Sequence, residues 1–292
     1  MRDLTPARRF GTWLSFILAF VVLAAPHAAA QPGAGVPQVQ PEFVEQFRRT
    51  AGDTITVCVN SESLLSGFEM DVARAVGQAL LLNVEIVEFR GVRAPPVLDY
   101  TLGVNQSELF VLLNNDCHAL AGFLLSETRE VPWLTVSRPY AALSFAFATR
   151  LPNVRSLTDL PPGASVGTRI GSSADIAFAQ YLESLPVERR LRRVPYPNNR
   201  LLLDRLESGE VDAILIWEPA LHFGLAGGPT DNGLTVLDPG PVRLPEQRFG
   251  FALLSRESFL RSALDEALNL LIAEGVIDGL LGSHAIPGRA AR

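Results

Sequence analysis

The stretch that most restricts how this chain can fold runs from Cys117 to Arg150. A short apolar run, His118 to Ala121, ends at Gly122 and fits a buried strand whose carboxyl end opens into a loop. That loop, Phe123 to Pro139, carries Arg129, Trp133 and Arg138, and its two prolines keep it out of regular structure. A second strand, Ala142 to Thr149, follows at once. A strand, a loop and another strand with no helix between them would carry the chain out of one lobe and into a second.

The flanks agree with a crossing there. Thr54 to Val59 is β-branched and reads as a buried strand. The helix that starts at Gly67 repeats Phe68, Val72, Val76 and Leu80 every fourth residue, giving one apolar face, and Glu69 and Asp71 sit in its first turn, where the helix dipole favours acids. Val84 to Phe89 completes a strand–helix–strand unit, which implies a parallel sheet. A helix over Ser107 to Leu113 leads to the strand at His118. Beyond the crossing the alternation repeats: strand Ser165–Arg169, a helix capped by Gly171-Ser172-Ser173 and running through Leu182, strand Arg190–Tyr196, helix Asn198–Leu206, strand Val211–Trp217. Leu234 to Leu237 is a further strand, and Arg248 to Leu254 is a second crossing candidate. The closing segment, Ser258 to Leu281, is helical by its Leu/Ala periodicity and fits as cover for the first lobe. The expectation is an α/β protein of two lobes joined by a two-strand hinge, with the cleft between them as the site.

The amino terminus predicts export. Arg2, Arg8 and Arg9 precede an apolar run from Trp13 to Ala25, and Ala28-Ala29-Ala30 ends before Gln31, the layout of a cleaved signal peptide. The run is too short for a spanning helix, which needs about 20 apolar residues. The expected division is residues 1–30 signal peptide, 31–52 a flexible segment, 53–145 the first lobe, 146–247 the second, and 248–292 a return to the first. Removing a leader of net +2 takes the formal charge from −6 to −8, which disfavours nucleic acid as a partner. The composition removes chemistry as well: all 25 basic residues are arginine, so Schiff-base, pyridoxal and P-loop mechanisms lack their lysine. Arginine suits carboxylates and phosphates. His27, His118, His222 and His284 are scattered without metal-ligand spacing, so no metal and no cofactor is expected. Cys58 and Cys117 are the two cysteines. Export permits a bridge between them, but spacing leaves open whether they meet.

Gly67-Phe68-Glu69-Met70-Asp71-Val72-Ala73, Ser137-Arg138-Pro139-Tyr140 and three later segments together resemble the extracellular solute-binding proteins of family 3, the periplasmic receptors of polar amino-acid transporters. Gly67-Phe68-Glu69-Met70-Asp71-Val72-Ala73 is similar to that family's Gly-Phe-acid-x-Asp-Leu-Ala, and Ser137-Arg138-Pro139-Tyr140 to its Phe-Ser-x-Pro-Tyr before the hinge. Ser156-Leu157-Thr158-Asp159-Leu160, Val166-Gly167-Thr168-Arg169-Ile170-Gly171-Ser172 and Leu206-Glu207-Ser208-Gly209-Glu210-Val211-Asp212-Ala213 match later segments in order. The resemblance spans residues 53 to 285 and implies a type II periplasmic-binding-protein-like fold, a small polar or anionic solute (amino-acid-like or an organic acid), and delivery to an inner-membrane ABC permease by a monomeric, non-enzymatic periplasmic receptor. Departures limit the ligand: Trp217 stands where amino-acid receptors hold the ammonium with aspartate, and Phe123, Leu124 and Leu125 replace the polar part of the loop after Gly122. Trp217-Glu218-Pro219 with the two cysteines is also similar to a branch serving as accessory proteins of periplasmic quinoprotein alcohol dehydrogenases, although that branch's Asn-Asn-Leu-Pro-Phe loop is missing here. Some relatives of the fold are periplasmic dehydratases.

The candidate ligand-binding residues are Asn60, Glu62, Phe123, Ser126, Arg129, Tyr140, Arg169, Ser172, Ser173, Trp217 and Glu218. Arg129 could grip an anion with its planar fork or pair with Glu127 or Glu130. Arg169 ends a strand just before Gly171, Ser172 and Ser173, whose amides at a helix start would suit an anion, while both serines also fit as caps. Trp217 could stack on a flat group or pack at the hinge. Glu218 could hold a cation, and Glu218 and Glu62 are the acids a dehydratase would require.

Overall fold

A computed structural model describes residues 54–91, 106–125, 131–225 and 228–292. The expected signal peptide and flexible segment, residues 92–105, and the candidates Ser126 and Arg129 lie outside the described residues.

The first sheet begins with β1 (Thr54–Asn60), whose alternate and then continuous burial fits a strand covered on both faces. Helix α1 (Ser66–Leu80) buries Phe68, Val72 and Val76, the four-residue repeat read above. It stops at Leu81, a left-handed residue whose N–H reaches back to the carbonyls of Gln78 and Gly77. Strand β2 (Asn83–Phe89) returns parallel to β1, Thr54 facing Asn83 and Asn60 facing Phe89. Helix α2 (Gln106–Asn115) turns Leu109 and Leu113 inward, and β3 (Ala119–Leu124), buried throughout, joins the other edge of β1 with Cys58 beside Leu120. Cys58 and Cys117 are bridged, their Cα atoms 5.7 Å apart. Cys117 lies in the turn between α2 and β3, within reach of Cys58 on β1, which settles what the spacing left open.

The apolar run Ala142–Thr149 is not one strand. After β4 (Leu134–Val136), β5 (Ala141–Leu143) stays with the first sheet and β6 (Phe145–Thr149) belongs to the second, with Ser144 between them. The second sheet then builds β7 (Ser165–Arg169), α3 (Ser173–Ser184), β8 (Arg192–Tyr196), α4 (Asn199–Glu207) and β9 (Ala213–Trp217), followed by α5 (Glu218–Phe223), α6 (Gly228–Asp231) and β10 (Thr235–Leu237). Its order is β10-β6-β9-β7-β8; β7 runs parallel to β8 and β9, and β6 antiparallel to β9.

The chain rejoins the first sheet as β11 (Gln247–Leu254), antiparallel to β3, β4 and β5. The outgoing and returning strands lie side by side, Leu143 opposite Gln247. The closing helical segment is two helices, α7 (Ser258–Ala273) and α8 (Val276–Ser283). Gly275, at φ 73°, turns the chain between them into a region that side chains resist. The last residues add β12 (Arg289–Ala290) beside β5, which the sequence does not suggest. The first core is centred on Tyr140, whose ring lies 6.1 Å from Phe68 and 5.3 Å from Phe251; the second has Phe147 and Phe178 edge to face at 5.4 Å.

Candidate functional site

In each sheet the middle parallel strand is flanked on one side by the strand that follows it and on the other by a strand reached through a second helix. Such a switch point leaves a crevice outside the carboxyl ends of the two diverging strands. The first lies between β1 and β3, the second between β7 and β9.

At the first, Asn60 is buried and its Oδ1 accepts the Glu62 N–H at 3.0 Å, while its carbonyl accepts the Ser63 N–H. This turn exposes Glu62 and brings Ser63 Oγ to 3.3 Å from Glu69 Oε1. Glu69 was expected only as a first-turn acid favoured by the helix dipole. It is 2% exposed, and its Oε2 has no hydrogen-bond partner among the described residues. Burial pushes its carboxyl up to about 8, against the small opposing effect of Ser63. The acid lies where a side chain on Gly122 would be: a Cβ there would come within 2.3 Å of Oε1, and Gly122 has φ 77°. The Gly122 N–H donates to Tyr140 Oη at 2.7 Å. Tyr140 is fully buried, and its hydroxyl is pushed well above the usual phenol range by burial and by the neighbouring Glu69. Phe123 faces the small core around the disulfide, with Leu109, Leu113, Leu120 and Leu254.

At the second switch point Arg169 and Trp217 end adjacent strands. The start of α3 is answered from within: Ser172 Oγ accepts the Asp175 N–H, and Asp175 Oδ2 accepts the Gly171 N–H at 2.9 Å. Arg193 of β8 grips the same carboxylate with two bonds, Nε to Oδ1 at 2.5 Å and a second nitrogen to Oδ2 at 2.6 Å. Burial alone would raise the Asp175 pKa; the hydrogen bonds from Arg193 and Gly171 outweigh it and hold the carboxyl below its usual value. Ser172 is thus a helix cap, Ser173 is exposed, and Arg169 is half-buried at its strand end. The Ser172-x-x-Asp175 spacing is a local signal for this capping that could have been read from the sequence.

At the hinge, Trp217 is 8% exposed, and its ring centre lies 6.3 Å from that of Phe249 on β11. Its Nε1–H has no acceptor among the described residues, and neither does Gln247 Oε1 have a donor. Gln247 and Phe249 are two apart on β11, so they share a face, the one Phe249 turns to Trp217. The Glu218 N–H donates to the carbonyl of Ser144, the residue between the crossing strands, and burial raises the pKa of its half-buried carboxyl. The described residues hold no cluster of three or more metal-ligating side chains, and no described helix is long and apolar enough to cross a membrane.

No protein-family model matches the chain, and no curated protein sequence does. Solved structures do. An ancestral cationic amino acid solute-binding protein is 17% identical, with 82% of this chain and 98% of that one covered and a TM-score of 0.58. The second substrate-binding domain of a putative amino acid ABC transporter from Streptococcus pneumoniae is 16% identical over 79% and 99%, TM-score 0.60. Substrate-binding domain 2 of GlnP from Lactococcus lactis, in an open conformation, is 16% identical over 80% and 95%, TM-score 0.59. With two switch-point sheets joined by side-by-side crossing strands, the chain has the two-lobed α/β fold of type II periplasmic binding proteins.

Proposed function

We propose that the chain is a solute receptor that captures a small polar or anionic solute, amino-acid-like or an organic acid, and hands it to an inner-membrane ABC permease. The observation that carries this reading is the pair of unanswered polar atoms on hinge residues, the Trp217 indole N–H and the Gln247 amide oxygen; Glu218, with its raised carboxyl pKa, is the next residue after Trp217. Buried polar groups without partners each cost about 1–3 kcal/mol. A solute that accepts from the indole and donates to the amide would recover that cost only with both lobes in place. Trp217 stacking, with Arg169 at the neighbouring strand end, favours a solute with a flat or anionic group. The three neighbours named above are an amino-acid solute-binding protein and two substrate-binding domains, which supports a solute over a macromolecule. A leader over residues 1–30, a periplasmic location, and lobes over 53–145 with 248–292 and over 146–247 belong to the same reading.

The test is a thermal-shift screen of amino acids, carboxylates and aromatic acids on protein unfolded and refolded to strip bound solute. A true ligand at ~100-fold its Kd stabilises by about 2.7 kcal/mol, and Trp217→Ala should abolish the shift. No shift with any solute, together with co-purification of a quinoprotein dehydrogenase, would favour the accessory role instead. Turnover of a cyclic acid that is lost in Glu218→Gln would favour a dehydratase, whose proton carrier the raised Glu218 carboxyl would supply.

A further inference from the structure

Glu69 plays no part in the solute reading, yet it is an acid buried to 2% exposure in the first lobe. Its carboxyl has Ser63 Oγ at 3.3 Å on one oxygen and no partner among the described residues on the other. The groups around it are few. Asp71, on the same helix, is held by His284, just past the end of α8, at 2.9 Å and by Arg74 at 2.7 Å. His284 packs edge-on against Phe68. Tyr140 approaches from the hinge side and Gly122 from β3, while Glu62 of the loop is exposed. No described arginine pairs with Glu69. An ionised carboxylate in such a place would be uncompensated, whereas a neutral acid would not.

We infer that Glu69 is a proton-operated latch at the root of the hinge, a positioning residue that when neutral seats the Asn60–Leu65 loop and Gly122 against Tyr140, and when ionised loosens both. The mechanical link is short. Tyr140 Oη holds the Gly122 amide, Tyr140 directly precedes β5, and its ring packs on Phe251 of the returning strand. Charge on Glu69 therefore acts on the residue from which the crossing starts. Ser63 Oγ also accepts the Leu65 N–H, so the same charge reaches the turn that carries Asn60.

The sign follows from the raised carboxyl. Between the ordinary value of 4.5 and about 8 the folded chain keeps a proton that the unfolded chain has lost, so stability falls as pH rises through this window and levels off above it. Urea unfolding of the full chain from pH 5 to 9 should show the unfolding constant of the wild type rising roughly 400-fold relative to Glu69→Gln between pH 5 and pH 8. The Gln variant keeps the shape and removes the titration. Parallel pH profiles for the two proteins would overturn the latch. Should Glu69→Gln not fold, infrared spectroscopy of the wild type decides: a protonated-carboxyl band persisting at neutral pH and titrating near pH 8 supports it, and no such band refutes it. Amide exchange at Gly122 supplies the conformational readout. Its protection should drop above pH 8 beyond the general base-catalysed acceleration, and protection that follows only that acceleration would show that ionisation moves nothing.

Discussion

Breaking the bridge between Cys58 and Cys117 has a calculable cost. The two residues are 59 apart in sequence, and a cross-link of that span removes loop-closure entropy from the unfolded chain worth about 4 kcal/mol. They sit in the small core formed by α2, β3 and β11 with Leu109, Leu113, Leu120 and Phe123, so a reduced protein keeps both sulfurs packed and loses only the link. Urea titrations of oxidised and reduced wild type then isolate the cross-link, and a Cys58→Ala/Cys117→Ala double variant adds the loss of packing. The expected result is a drop of about 4 kcal/mol on reduction, or a Tm lower by roughly 8–16 °C, with somewhat more in the double variant. The urea slope should also rise, because the unlinked unfolded chain exposes more surface. A loss below about 1 kcal/mol with an unchanged slope would refute the entropic reasoning, since it would mean that the unfolded chain is already confined between these residues.

Two further substitutions probe the switch points. Gly122→Ala should cost about 3 kcal/mol in urea unfolding, because the new methyl group meets the Glu69 carboxyl at 2.3 Å and the backbone sits at φ 77°. Asp175→Asn should cost about 2 kcal/mol at neutral pH by weakening the fork from Arg193 and the cap on Gly171. The depressed pKa of Asp175 means its stabilising effect is complete above the ordinary aspartate range and is lost as pH falls through the folded value, so the gap between wild type and variant should close in acid; a gap independent of pH would contradict the assignment.

What the sequence made legible was whatever a local pattern decides. The four-residue repeat of α1, the β-branched run of β1 and the Ser172-x-x-Asp175 cap each depend on neighbours in the chain, and each element stands where that pattern puts it. The crossing was legible because a second strand follows β3 and its loop with no intervening helix, although Ser144 divides that strand between two sheets. Gly275 was the missed stop in the last helical segment, since a Leu/Ala period continues across it while its φ does not. The features that bear most on the proposed function and latch were hidden because they are made by partners far apart in the chain. Glu69 reads only as a first-turn acid favoured by the helix dipole, and its burial by Gly122 and the turn at Ser63 comes from distant segments. Asp175 meets Arg193 only because β8 lies next to β7. Gln247 looks like the polar edge of an apolar run until β5 pairs with it and the ring of Trp217 closes on Phe249 two residues on. In this fold strands diverge at the switch points, so side chains placed there gain their surroundings from separate segments. The stretch that identified the crossing could therefore indicate where a site must lie, while the charge state of the groups inside it depended on contacts that only the folded chain makes.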